Sequence, residues 1–222
     1  MKNTIGQGKL WVYSSAFVMS LNGGYINAIS VMSLLKNSVG YVTGNLTLVG
    51  EALVKNQWWL CLHLLVLVLC FFLGSILSGL MVRGQNFKVD RRYTEILILQ
   101  LCMIVIATLL LYQGVHQTGY LLAGVMGVQN AMITHYGTAL IRTTHMTGTT
   151  TDLGILIAHW IKGDEIPFWK LVLYLSLIIG FLGGAVTGPL VYEYWHAWAL
   201  LGCMPLYGYM IALPYFLVTH DE

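Results

Sequence analysis

Six stretches of the chain stay hydrophobic long enough to cross a bilayer: 11–35, 58–82, 93–112, 118–135, 167–192 and 195–218. Each meets or approaches the roughly 20 apolar residues that a spanning helix requires. Aromatic residues mark several of their ends, among them Trp11, Trp58, Trp59, Tyr93, Tyr112, Trp169, Tyr192 and Trp195, where an interfacial belt would lie. Two further stretches, 44–55 and 148–161, are too short and too polar to span comfortably. Both begin at the same half-polar phrase. VTGNLTLVG at 42–50 and MTGTTTDLG at 146–154 share the spacing T-G-x-x-T-x-x-G.

Composition agrees with a membrane chain. Hydrophobic residues make up 57% of the 222 residues and charged residues only 9%, against about 25% charged in a soluble domain. The position of the charges then bears on topology. Suppose the two short stretches do not cross and the N-terminus is cytoplasmic. Lys2, Lys9, Arg83, Lys88, Arg91, Arg92, Arg142, Lys162 and Lys170 then lie inside, and only Lys36 and Lys55 outside. If the short stretches do cross, the same eleven residues divide five against six. Basic residues concentrate on the cytoplasmic side of short loops. Charge placement therefore favours six spans, two non-crossing short helices and cytoplasmic termini. The run at the chain start reads as the first span rather than a cleaved signal, because Gly and Asn interrupt it.

The chain also repeats itself. GYINA at 24–28 matches GVQNA at 127–131, the T-G-x-x-T-x-x-G phrases follow, and FLGSILSG at 72–79 matches FLGGAVTG at 181–188. Each half, about 11–112 and 118–218, reads as span, short helix, span, span within one membrane domain covering 1–222. Three crossings is an odd number, so the second half enters from the opposite side. The expected fold is an all-α integral membrane protein with six transmembrane helices in two inverted-topology repeats of three. Each repeat carries a short re-entrant half-helix, as in many transporters.

The repeated phrase has the residue types for a helix that starts inside the membrane. An extended run over 37–43 descends at most about 20–25 Å, and a helix over 44–55 climbs back roughly 18 Å. The second half has similar reach, so both Thr-Gly corners fall near midplane. The first N–H groups of a helix lack internal partners. Thr43 or Asn45, and Thr147 or Thr149, are the expected caps. Gly44 and Gly148 permit a sharp corner. Thr47 and Thr151 share a face with Thr43 and Thr147. Two helix starts meeting at midplane would favour an anionic or dipolar solute. Alternatively, the corners cap helices and the stripes pack against neighbours.

Other polar groups sit at intramembrane positions. Asn27 and Asn130 are repeat-related, and Gln129 adjoins the second. Each either lines a pathway or bonds neighbouring helices. Asp152, His145 and Arg142 form a candidate titratable vestibule. Asp152 could equally serve its own helix start. His63 and Gln100 read as satisfied by a neighbouring helix, and Gly74, Gly79, Gly183, Gly184 and Gly188 as close helix contacts. Pro205 and Pro214 should kink the last span. Cys61, Cys70, Cys102 and Cys203 form no CxxC pair and read as packing residues. No motif for nucleotide, metal-dependent or nucleophilic catalysis is present, and no cofactor is expected.

GGYINAISV…GYVTGNLTLVG followed by GVQNAMITHYGTALIRTTHMTGTTTDLG resembles the YoaK family of bacterial multi-pass membrane proteins, over nearly the whole chain. The resemblance implies a bacterial cytoplasmic-membrane location and supplies no substrate. Members often carry Asp where this chain has Asn27, which shifts interest in proton coupling to Asp152 and His145. The expected role is transport of a small polar or anionic solute, as carrier or channel. The site would draw on Asn27, Thr43, Gly44, Asn45, Thr47, Gln129, Asn130, His145, Thr147, Gly148, Thr149, Thr151 and Asp152. The alternative is a non-transporting scaffold that binds a partner or lipid. The expected partners are the bilayer and a small solute, with self-association left open. Nucleic acid is not among them.

Overall fold

In the computed structural model, residues 10–33, 35–82, 91–136 and 142–218 are described. They form eight α-helices and one long 3-10 segment. In chain order these are α1 (Leu10–Met32), α2 (Val42–Val54), α3 (Trp58–Met81), α4 (Arg91–Tyr112), α5 (Thr118–Tyr136), α6 (Met146–Ile161) and α7 (Phe168–Trp195). The 3-10 segment His196–Cys203 and α8 (Met204–Val218) follow. Of the basic residues in the topology argument, Lys2, Lys9, Arg83 and Lys88 lie outside the described residues.

Three described stretches are long and apolar enough to cross a membrane. They are Trp58–Met81, Arg92–Tyr112 and Phe168–Leu213, the last of 46 residues running through α7, the 3-10 segment and most of α8. At about 20 residues per crossing, that last stretch is twice the length of one span. The helices α1 and α5, of 23 and 19 residues, are as long as a span but more polar. They are also the most enclosed. Every residue of α5 from Leu122 to Gln129 is buried, as is every residue of α1 from Asn22 to Asn27. By contrast α3 turns Leu62, Leu65, Leu69, Phe72, Leu73 and Leu80 outward. Polar groups inside and apolar groups outside is the distribution a lipid solvent imposes.

The most extensive helix contacts join α1 to α7 and α3 to α5. In the first pair a Cβ at Gly180 would press on the carbonyl of Phe17, one at Gly184 on that of Leu21, and one at Gly188 on that of Tyr25. The positions advance together along both helices, so α1 and α7 run parallel. In the second pair a Cβ at Gly74 would overlap the Gly124 carbonyl, and one at Gly127 the Phe71 carbonyl. Gly24 meets the Phe181 carbonyl in the same way. Glycine here gives close backbone approach, the usual device where lipid supplies no hydrophobic drive between helices.

These contacts move the sequence register by one residue. The match of 72–79 to 181–188 sets Gly74 opposite Gly183. In the structure Gly184 does for α1 what Gly74 does for α5, and a Cβ at Gly183 would meet nothing within 4 Å. Gly79 is also no close contact, its nearest neighbour being His135 at 3.9 Å. The stretch expected to form the last span differs too. It does not start as an α-helix at 195. His196 takes a φ of +48°, α7 ends, and the 3-10 segment doubles back. There the Tyr25 hydroxyl donates to the Ala199 carbonyl at 2.7 Å and Gly202 seats the Tyr25 ring. Pro205 falls in the first turn of α8, where a missing N–H costs no helix bond, and so produces no mid-helix kink.

The short helices lie back along their long successors. Helix α2 ends in a turn in which Asn56, at φ +56°, donates to Leu53 O and Gln57 donates to Ala52 O. Helix α6 ends the same way through Gly163 and Asp164, which donate to Trp160 O and His159 O. This paired closure needs a left-handed residue after the cap, as Asn and Gly allow. The chain then reverses into α3 or α7. At 13 and 16 residues, about 20 and 24 Å, the short helices cover only part of their partners.

Candidate functional site

The starts of α2 and α6 open on one cavity of about 600 Å³. Its lining comes in corresponding pairs from the two halves: Asn27 with Asn130, Thr43 with Thr147, Tyr41 with His145, Phe71 with Phe181. Phe71 is the fourteenth residue of α3 and Phe181 the fourteenth of α7. Both short helices therefore begin level with the middle of their long neighbours.

Asn27 and Asn130 hold the chain that leads into each short helix. Asn27 Oδ1 accepts from the Ser38 hydroxyl at 2.9 Å and the Gly40 N–H at 2.7 Å. Asn130 Oδ1 accepts from the Thr144 hydroxyl at 2.9 Å and the Thr143 hydroxyl at 3.5 Å. Each amide nitrogen returns to its own helix, at Gly23 O and Met126 O. Among the described residues neither side chain bonds a neighbouring helix; both anchor a linker, and both line the cavity.

The helix starts are not capped as expected. Tyr41 and His145 occupy the N-cap positions, and neither makes a side-chain cap bond. The helices begin at Val42 and Met146, so Thr43, Asn45, Thr147 and Thr149 lie inside the first turn. There a threonine hydroxyl bonds back to the preceding turn. Thr47 donates to Thr43 O at 3.0 Å, Thr151 to Thr147 O at 2.9 Å and Thr149 to His145 O at 3.2 Å. Asn45 is buried and donates to Ser38 O at 3.2 Å.

Gly44 and Gly148 also act differently from expectation. Neither has a positive φ. A Cβ on Gly44 would run into the Tyr41 ring, and one on Gly148 into the His145 ring. Each glycine seats the aromatic ring three residues before it, folded over the first helical turn. The signal for this pairing in the sequence is Tyr-x-x-Gly and His-x-x-Gly at the same offset, and it is not part of the Thr-Gly phrase.

Of the expected site residues, Asn27, Thr43, Asn130, His145 and Thr147 line the cavity. Asn45, Thr47, Gln129, Thr149, Thr151 and Asp152 do not, nor do Gly44 and Gly148, which lie one turn behind the lining rings. Asp152 is exposed on α6, so the expected vestibule keeps Arg142 and His145 without it. Gln129 is fully buried behind the site. It donates to Met19 O at 2.8 Å, reaches Thr143 Oγ1 at 3.3 Å and accepts from Asn22 at 2.7 Å. Asn22 also donates to the Tyr207 hydroxyl at 3.0 Å, which donates to Gln100 at 3.2 Å. Gln100 and His63 have neighbours as expected, His63 bonding the Tyr120 hydroxyl at 2.8 Å. Among the described residues no group of three or more His, Cys, Asp or Glu is placed to hold a metal ion.

The fold and the exposed apolar helices define a multi-pass, all-α membrane protein. Residues 15–213 match the family described as "Protein of unknown function (DUF1275)", and the chain belongs to that family, which includes the YoaK-like bacterial membrane proteins. No curated protein and no solved structure matches it.

Proposed function

We propose that the chain is a transporter or channel for a small polar or anionic solute. In this reading α1, α3, α4, α5, α7 and the 3-10 segment with α8 cross the bilayer, in two inverted halves. Helices α2 and α6 are re-entrant, and both termini are cytoplasmic in a bacterial inner membrane. One observation carries the reading: two short helices from corresponding places in the chain begin at a single cavity, beside the same paired asparagines. Irregular backbone at membrane depth is tolerated where it borders protein or a watery space, and a helix start offers N–H donors and about half a positive charge. Helices α1 and α7 pack parallel, and so do α3 and α5, where His63 meets Tyr120 near one end and Gly79 meets His135 near the other; this is what crossings in the same sense require.

The test is solute uptake by purified protein in liposomes, over a panel of small anions and amino acids. Replacing Thr43, Gly44, Thr147 and Gly148 together by bulky apolar residues is expected to reduce flux to that of empty liposomes while membrane insertion persists. Unchanged flux would sink the proposal. For topology, a cysteine introduced at 87 should react only from the cytoplasmic side and one at 115 only from outside. The scaffold reading draws on the outer faces of the short helices, where Leu46, Leu53, Ile155 and Trp160 are exposed. A protein that carries no solute yet retains a partner through those faces would favour it.

A further inference from the structure

The two sides of the cavity differ in charge. Counted back from the shared Thr-Gly, Arg142 stands where the first half has Ser38, Thr143 where it has Val39, and His145 where it has Tyr41. Ser38 is engaged, its hydroxyl donating to Asn27. Asn130 draws its donors from Thr143 and Thr144 instead, so Arg142 is not needed to anchor the linker. Arg142 lines the cavity, no carboxylate lines it with Arg142, and no acidic side chain pairs with Arg142 among the described residues. The backbone that presents it is fixed at the next residue. Thr143 is wholly buried, its carbonyl accepts from Ser20 at 3.0 Å and its hydroxyl meets Gln129 at 3.3 Å. Val39 has no side-chain group for such bonds.

Resting on the transport reading, we propose that this cavity binds a small planar monovalent oxyanion, of the carboxylate or nitrate type, and that Arg142 selects it. A guanidinium presents parallel N–H donors that match a planar oxyanion. The two uncapped helix starts add positive potential at the same place, and Asn130, Thr144 and His145 add polar groups around it. A cation meets only positive potential there. A neutral solute leaves the guanidinium without a counter-charge. One guanidinium suits one negative charge, and Phe71 and Phe181 offer nothing to hydrate a second.

The test is thermal unfolding of the full chain in detergent, titrated with sodium formate or sodium nitrate at constant ionic strength. The sodium salt of a bulky sulfonate serves as the control. The expected result is a saturable rise in Tm with formate and nitrate and none with the bulky anion. Arg142→Gln should raise the half-saturating concentration at least tenfold. Arg142→Lys, which keeps the charge but loses the fork, should fall between, and Lys170→Gln should leave it unchanged. No saturable rise, or an Arg142→Gln curve equal to wild type, overturns the assignment. Should Arg142→Gln fail to fold, an Arg142→Lys curve equal to wild type overturns it instead. Arg142-dependent binding without solute flux in liposomes refutes transport and leaves the anion site standing. Flux of neutral solutes without anion binding does the reverse.

Discussion

On one side of the cavity Asn27 holds the path into α2 through Ser38 and Gly40; on the other Asn130 holds the path into α6 through Thr143 and Thr144. The scaffold is duplicated: glycine contacts between parallel helices, an aromatic ring folded over a glycine, a hydroxyl bonding back one turn. The equipment placed on that scaffold is not. The second side alone carries Arg142, and behind it alone lies the buried chain of Gln129, Asn22, Tyr207 and Gln100. Duplicated features answer to packing helices in lipid, where close backbone contacts and satisfied polar groups hold helices together. Unduplicated ones answer to something the two halves do not share, which is the reason to read selectivity from Arg142 rather than from the repeated phrase.

The largest expected effect tests the duplication itself. Gly184→Ala puts a Cβ against the Leu21 carbonyl. Overpacking costs about 1–3 kcal/mol in ordinary cores and more where the neighbour is backbone, so the folded fraction on gel filtration should collapse. Gly74→Ala should match it, and Gly183→Ala should stay within about 0.5 kcal/mol of wild type. A damaging Gly183→Ala with a tolerated Gly184→Ala would restore the register read from the sequence and break the correspondence of the two helix pairs.

Next come the anchors. Asn27→Ala strands a backbone N–H and a hydroxyl, and Asn130→Ala strands two hydroxyls, one of them at 3.5 Å. A fully buried donor left unpaired costs about 1–3 kcal/mol, and these part-buried ones cost less. Both variants should unfold at lower temperature, Asn27→Ala by the greater margin. An equal or reversed order would mean that the shorter bonds at Asn27 do not set its contribution.

A smaller effect sharpens the difference between the sides. Thr143→Val copies Val39 into the second half and removes one hydroxyl from Gln129 and Asn130, a loss of about 1 kcal/mol. It should also weaken formate binding through Arg142. Formate binding equal to wild type would show that the pinned backbone does not position the guanidinium. The smallest effect concerns the ring seats. In a double-mutant cycle, Gly148→Ala should cost stability with His145 present and cease to do so in the His145→Ala background. The coupling should be roughly 1 kcal/mol. Additive changes would remove the proposed reason for the glycine.

Helix positions were legible because long apolar runs bounded by aromatics admit one interpretation in a membrane chain. Observed bounds fall within a few residues of those expected for α1, α3, α4, α5 and α7. The pairing of Asn27 with Asn130 was legible from GYINA and GVQNA. The helix starts were not. Thr and Gly suit a cap and a corner as well as a first turn, and only the fold reveals the Tyr41 and His145 rings over the glycines. The one-residue register error arose because FLGG offers two adjacent glycines, which no pattern can rank without knowing the face turned to α1. The 3-10 segment at His196–Cys203 has the apolar composition of a helix, and the contacts it makes are with Tyr25, a residue far away in the chain. Arg142 was visible as a charge beside the phrase. The selectivity proposed for it was not, because the Ser38 counterpart emerges only once both linkers are seen bonded to their asparagines.

The proposed transport and anion site both require the two Thr-Gly helix starts to face one another across a single cavity. Replace the four native cysteines, introduce Thr43→Cys and Thr147→Cys together, and treat the protein in native membranes with a short bifunctional thiol reagent. Include Thr43→Cys with Lys170→Cys as the distant pair. The account predicts an intramolecular crosslink in the first protein, seen as a protease-resistant link between the two halves of one chain, and none in the second. Both cysteines reacting singly without linking would contradict it.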